Sequence, residues 1–368
     1  MLTQISTLRS SLAASNAPVI VADQQDERDL GRLIDELLGS LMQAIVEIEQ
    51  INFQTKLLSL NARIEAARAG GTVGAAFGIV AQEIQGLARN TGDVTTKLSE
   101  DSRQTILKIQ AEVESLSTNA RGSRLADLAL SNVDLIDRNL YERSCDVRWW
   151  ATDSCIVEAV DSRTSDACRI ASERLAVILR SYTVYYDLVV CDLNGVVIAN
   201  GRPERYHSRG ANQANSRWFQ NALMTLSGDH FAFQTAHHSS LVSGETALIY
   251  ACGIRENGDT RGKLLGVLGA VFNWAALGQT IVEKHQSAGD QTRFILCDHD
   301  GVILADTDRA KFGQQLNLPD LSRMLGERRG FRVAEVHGQP TCIAYAVAPG
   351  YETYTTGWHC FILQPTLE

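Results

Sequence analysis

The sequence predicts a mixed fold, with an all-α antiparallel helical hairpin in the N-terminal part and an α+β domain with a long leading helix in the C-terminal part. Three observations predict it. Apolar residues recur every three or four positions on both sides of a glycine-rich break at residues 70–74. A second helical pattern runs from Leu125 to about Leu179. From Tyr185 the texture becomes period-two and β-branched, and one motif in it occurs twice.

The hairpin rests on two flanking patterns. Leu57, Leu60, Ile64 and Ala67 precede the break, and Phe77, Val80, Ile84, Leu87 and Thr91 follow it. Gly70, Gly71 and Gly74 let a chain reverse within a few residues. Alanines at 62, 66, 67 and 69 keep the tip slender, while Gln54, Asn61, Glu65 and Arg68 form a polar stripe beside the apolar seam. Residues 1–26, with Pro18, read as a tail, and 27–118 as the hairpin with its tip at 70–76. Each arm is about 45 residues, or ~65 Å. So thin a segment cannot bury its seam alone, which predicts a homodimeric four-helix coiled coil; the alternative is a hairpin folded onto its own sensor domain. Glu47, Glu49, Glu112 and Glu114 suit solvated helix faces.

Composition narrows the function. A net charge of −9 and the lack of a basic run argue against nucleic acid or an anionic membrane as the partner. The longest apolar stretch, residues 264–278, contains Asn273 and is too short to span a bilayer, so a cytoplasmic protein without a signal peptide or membrane span is expected. Eight cysteines without a CxxC pair read as small buried hydrophobes, and no cofactor is expected. No Walker loop, nucleophile elbow, HExxH or kinase set is present, so no enzyme is expected.

Residues 119–368 form the second part. Asn119–Ser123 reads as a joint, with Gly122 relaxing the helix before the long helix at 125–180; Asp161-Ser162 and Ser165-Asp166 mark a break within it. Module one spans 181–283 and module two 284–368. Cys191-Asp192-Leu193-Asn194-Gly195-Val196-Val197-Ile198-Ala199 aligns with Cys297-Asp298-His299-Asp300-Gly301-Val302-Ile303-Leu304-Ala305. Asn-Gly and Asp-Gly between alternating apolar residues are strong hairpin signals, so this half is an internal duplication of an antiparallel sheet. Asp187, Asp192 and Asp298 read as turn formers.

These residues also carry two resemblances. QTKLLSLNARIEAARAG followed by FGIVAQEIQGLA resembles the signalling tip of methyl-accepting chemotaxis receptors over about 45 residues. It departs from that family's pattern at Lys56 (usually Asn), Arg63 (usually Ala), Gln85 (commonly Arg), and in a turn one residue longer. The resemblance implies that Phe53, Leu57, Asn61, Glu65, Arg68, Ile79 and Glu83 face neighbouring dimers, a chemotaxis histidine kinase and its coupling adaptor. The duplicated half, with NLYERSCDVRWWATD, SRWFQNAL and the closing strands GKLLGVLGAVFNW and AYAVAPGYETYTTGWHCFI, resembles the double Cache sensor, a long helix followed by two PAS-like modules.

That second resemblance implies a small-molecule ligand in module one, between the sheet and the segment carrying Trp218 and Phe219, which also suit plain core packing. Arg217 suits a carboxylate clamp, although the family's arginine lies one residue earlier, at Ser216. Tyr186, His237, Tyr250 and Cys252 complete the candidate ligand-binding set. Val271 stands where amino-acid-binding members carry an aspartate, so an organic acid or a neutral aromatic ligand fits as well. Asp229, His230, His237 and His238 form a histidine cluster, but His237 and His238 on one strand would point to opposite faces. The expected function is a chemoreceptor-like transducer. The alternatives are a metal, haem or redox sensor in the same architecture, or a receptor-like protein that no longer couples to a kinase.

Overall fold

The computed structural model describes residues 17–284 and 291–366, with side chains from residue 32 onward. Contacts divide the chain into two compact units, Met1–Ala120 and Arg121–Glu368. The first holds helix α1 (Ala17–Ala69) and the beginning of helix α2 (Gly71–Trp150). Pro18 does not end a helix here: it lies in the first turn of α1, where a missing N–H breaks no helical bond. Helix therefore replaces the expected tail from Ala17, and residues 1–16 lie outside the described part.

The reversal needs a single residue between the helices. Gly70 and Gly71 both adopt left-handed φ, +64° and +66°, which L side chains avoid. A Cβ on Gly74 would stand 2.5 Å from the carbonyl oxygen of Ala66. The seam differs from the expected one. Between the arms lie Ile45, Asn52, Ser59 and Ala66 on α1, seven residues apart, facing Ala81, Ala88 and Thr95 on α2. Leu57, Leu60 and Phe77 are instead 46%, 47% and 64% exposed. Small side chains bring the two backbones close, and the large apolar side chains turn outward.

Helix α2 passes through Asn119–Ser123 without a joint. Gly122 is buried beneath the ring of Phe331, so its small size serves packing rather than flexibility. The expected single helix at 125–180 is three pieces. Helix α2 ends at Trp150; α3 (Ser154–Ser162) is capped by Asp153, and α4 (Ser165–Ser181) by Thr164. Arg163, at φ +55°, separates α3 from α4.

Two antiparallel five-stranded sheets follow. Strands β1 (Tyr185–Asp192), β2 (Val197–Asn200), β3 (Ala232–His238), β4 (Thr246–Arg255) and β5 (Leu264–Asn273) pair in the order β2-β1-β5-β4-β3. Strands β6 (Arg293–Cys297), β7 (Ile303–Asp306), β8 (Arg329–Val336), β9 (Gln339–Val347) and β10 (His359–Pro365) repeat it as β7-β6-β10-β9-β8. The repeat extends to detail. Asp192 and Asp298 each accept two turn amides, Gly195 and Gly301 each take left-handed φ, and the register slips before both Cys191 and Cys297.

One core joins the helices to one face of each sheet, through Ile136, Leu140, Trp150, Leu188, Leu268, Leu296 and Ile362 among others. The opposite face of each sheet carries a separate core roofed by loops. Both faces being apolar, the central strands are buried throughout. No described helix is long and apolar enough to cross a membrane.

Candidate ligand site in the first sheet module

Alternation along the strands decides which residues face the loops. On β4, Leu248, Tyr250, Cys252 and Ile254 point to the helix side, and Ala247, Ile249 and Ala251 to the loop side. Tyr250 and Cys252 therefore face the helix side, one position out of phase with the face that carries Trp218 and Phe219. The Tyr250 hydroxyl lies 2.6 Å from that of Tyr354, and burial pushes its pKa well up. Cys252 lines a cavity of about 10 Å³, room for one water, with Arg148 and Arg255. Burial pushes its thiol up to about 11, leaving it inert.

The other candidates divide. Trp218 and Phe219, on helix α5 (Arg217–Leu223), are buried on the loop side with ring centroids 5.8 Å apart at 87°. The indole lies on the sheet because position 269 is glycine; its ring is already 3.1 Å from where a Cβ would stand. Arg217 begins the helix exposed. Tyr186 is buried on the loop side and donates at 3.4 Å to the exposed Glu245. Burial first, then the Glu245 charge, pushes its hydroxyl up to about 12. His237 pairs with Ala247, sharing its face, with Nδ1 2.8 Å from the Thr235 carbonyl; burial lowers its pKa and keeps the ring neutral. His238 pairs with Thr246 on the opposite side, and His230 Nδ1 lies 3.0 Å from the Ser227 hydroxyl, so the histidines do not converge. No cluster of three or more metal-ligating side chains occurs among the described residues.

The structure adds residues that the sequence did not single out. The β1–β5 register slips between Tyr185 and Asp187, so Asp187 pairs with Val271 and joins Tyr186 on the loop side. It is no turn residue: fully buried, its Oδ1 accepts the amides of Leu188, Gly201 and Arg202, and its Oδ2 accepts from Asn200 Nδ2 at 2.8 Å. Burial outweighs those bonds and raises its pKa to about 6. In the same module, the Tyr206 hydroxyl, Ser208 Oγ and Asn200 Oδ1 are buried with no hydrogen-bond partner among the described residues. Tyr206 and Ser208 lie in the irregular loop 201–215, where no periodicity marks them.

Among the described residues, module two also leaves polar atoms unpaired, His359 Nδ1 and Arg332 Nε. Its loop-side core is Ile295, Cys297, Ile303, Leu316, Met324, Ile343 and Phe361, and its one phenol, Tyr345, donates to Glu327. The loop side of module one thus combines aromatic rings with buried polar groups that lack hydrogen-bond partners among the described residues.

The helix side ties module one to α2. Tyr185, next to Tyr186 but facing the other way, donates to Asp146 of α2 at 2.7 Å, and Arg143 reaches the same carboxylate at 3.3 Å. Asp137 of α2 accepts from the amides of Gly350 and Thr356 and from the Thr356 hydroxyl. Burial raises the pKa of both aspartates. At the hairpin tip, Phe53, Leu57, Asn61, Glu65, Arg68, Ile79 and Glu83 are all exposed. Arg63 Nη1 donates across the arms to Gln85 Oε1 at 2.8 Å, so two departures from the receptor pattern are partners.

Two tandem sheet modules of the same strand order pack on one long helix. The chain belongs to the Cache domain family, whose family model matches residues 90–368. A model of the methyl-accepting chemotaxis protein signalling domain matches residues 10–137. The chain is 34% identical over 119 residues to the methyl-accepting chemotaxis protein CtpL of Pseudomonas aeruginosa, covering 30% of this chain and 18% of that protein. It is 47% identical over 60 residues to the chemoreceptor McpA of Caulobacter vibrioides, covering 16% of this chain and 9% of that one. The chain thus matches less than a fifth of either relative's length. Among solved structures, the sensory domain of the Campylobacter jejuni chemoreceptor Tlp3 has a similar fold, with a TM-score of 0.50 at 15% identity over 67% of this chain and 94% of that one.

Proposed function

We propose that the protein is a cytoplasmic chemoreceptor-type transducer. A small molecule enters the loop side of module one, and the hairpin modulates a chemotaxis histidine kinase with its coupling adaptor. The observation that carries this is the continuity of α2, which holds both the returning arm of the hairpin and, through Asp146, the strand residue Tyr185. Tyr186 is its neighbour on β1 and faces the ligand, so a shift of β1 on binding acts on Asp146. Ligand alters the output only as far as it binds two arrangements of this contact with different affinity.

The outward Leu57, Leu60, Ile64, Phe77 and Val80 support a homodimer, since an apolar stripe of this length needs a partner helix pair. Reconstitution with a purified kinase and adaptor tests the proposal. Autophosphorylation is expected to change on adding the protein and again on adding a metabolite that raises its melting midpoint. An unchanged rate with a demonstrably bound metabolite overturns the coupling.

A further inference from the structure

We propose that the loop between β9 and β10, residues 348–358, is a relay through which the first sheet module acts on α2 by way of Tyr354 and Asp137. The loop belongs to module two but touches both α2 and module one. On the helix, the Asp137 carboxylate accepts from Gly350 N at 3.1 Å, Thr356 N at 3.2 Å and the Thr356 hydroxyl at 2.6 Å, so it holds both limbs of the loop. Tyr351, between those limbs, lies against Tyr141 with ring centroids 5.3 Å apart, and under the Arg138 guanidinium. On module one, the Tyr354 hydroxyl meets that of Tyr250 on β4 at 2.6 Å. The loop is braced to move as a unit. Tyr351 and Tyr354 exchange backbone hydrogen bonds of 2.8 and 2.9 Å, and the Ala348 N–H donates to the Trp358 carbonyl at 2.7 Å. The relay goes beyond the transduction proposed through Asp146, which lies further along α2 and binds β1.

These groups are poor choices for packing alone and good ones for fixing position. Asp137 is fully buried, its carboxylate held by neutral donors of the loop, and burial raises its pKa. Tyr250 is fully buried and Tyr354 nearly so, where two phenylalanines would fill the same space without a polar atom. Facing hydroxyls instead fix the distance between β4 and the loop, because a buried phenol that loses its partner is left unsatisfied. Strand β4 also meets the loop-side core. Ile249 and Ala251, the neighbours of Tyr250, point to the other face and lie in one cluster with Trp218 and Phe219. A displacement of that cluster therefore shifts Tyr250, then Tyr354, the limbs of the loop and Asp137.

Hydrogen exchange of the full chain, read by mass spectrometry, tests the relay without ligand or kinase. Gly269→Ala supplies a push from the loop side: a Cβ there stands 3.1 Å from the Trp218 ring, so the indole must give by a few tenths of an ångström. Trp218→Phe supplies a second push from the same cluster. Each is expected to raise exchange in 348–358 and in 133–141 by about fivefold, the worth of one neutral hydrogen bond. In a Tyr250→Phe/Tyr354→Phe background, which keeps both rings and their packing, that rise is expected to vanish, while exchange in 142–150, around Asp146, still responds. With Asp137→Asn the rise is expected to persist in 348–358 and to be lost in 133–141, because the amide sets donor against donor at one limb. Equal rises with and without the two hydroxyls overturn the relay, as does a rise in 133–141 that survives Asp137→Asn. No rise in 348–358 under either push overturns it too. A silent 142–150 segment counts against the route through Asp146 alone.

Discussion

Replacing Gly122 by alanine should destabilise the sensor unit, although the same change in an ordinary exposed helix stabilises it. Helical propensity alone favours alanine by about 1 kcal/mol. Against it stands the aromatic ring of Phe331. A Cβ at position 122 would lie 2.2, 2.3 and 2.5 Å from Cδ2, Cγ and Cε2, where carbon atoms pack at roughly 3.5–4.0 Å. Cγ sits one bond from the Phe331 Cβ, so a rotamer adjustment at the far end does not relieve the clash, and β8 or α2 must move. Overpacking of this kind costs about 1–3 kcal/mol. The net expected loss is up to roughly 2 kcal/mol in thermal or urea unfolding, which lowers the midpoint by up to about 8 °C for a unit of this size. A double-mutant cycle isolates the cause: with Phe331→Ala already present, adding Gly122→Ala should stabilise by about 1 kcal/mol. A single Gly122→Ala variant more stable than the parent would refute the packing argument and restore the view of Gly122 as a relaxed joint.

The remaining predictions address the site and the hairpin. Tyr206→Phe should leave the ligand-free midpoint unchanged or higher, because a buried hydroxyl without a partner costs about 1–3 kcal/mol; a clear drop in calorimetry would mean that the hydroxyl is bonded in the resting protein. The folded pKa of Asp187 is raised from 3.8 to about 6, so between those values the folded state holds a proton that the unfolded state has lost. Stability should therefore fall as pH rises from about 4 to about 6, by up to roughly 3 kcal/mol from this group. Urea melts of Asp187→Asn should lack that fall, and parallel pH profiles for the two proteins would exclude Asp187 as its source. In the hairpin, Ser59→Leu should separate the arms and reduce helicity, since Ser59 is fully buried in the close seam. Leu57→Ala with Leu60→Ala should leave a lone hairpin intact but weaken self-association; sedimentation profiles unmoved by the pair would remove the outward stripe as a dimer face.

Much of this architecture is legible in the sequence, and the failures have particular causes. Gly70 and Gly71 announce the reversal because left-handed φ suits glycine, Gly74 because a Cβ there would meet the Ala66 carbonyl, and the motif at Cys191 and Cys297 announces the repeated sheet. Hydrophobicity ranks side chains by size and polarity, so it favours leucines in a seam where, nearer the tip than Ile45, the buried residues are serine, alanine, threonine and asparagine. Pattern also places a residue on a strand more readily than on a face of it. Tyr250 and Cys252 fell on the wrong side by one step of alternation, while the register slip at β1 carries Asp187 onto the loop side, where simple alternation from Tyr186 would not put it. Tyr206 and Ser208 lie in a loop without period, and Asp146 looks like any polar helix residue until Tyr185 is found beside it.

The duplication supplies a control for the site within the same molecule. Position 187 in module one corresponds to 293 in module two, and 200 to 306, at the spacing of the two cysteine motifs. Module two fills these positions with Arg293 and Asp306, joined by two hydrogen bonds of 3.0 and 2.6 Å. That pair neutralises itself: arginine only donates, the carboxylate only accepts, and the Asp306 side chain is fully buried. Module one holds Asp187 and Asn200 in the same places; Asp187 accepts four hydrogen bonds, whereas Asn200 Oδ1 accepts none from the described residues. One backbone frame thus carries a closed pair and an open one, and the difference lies in two side chains.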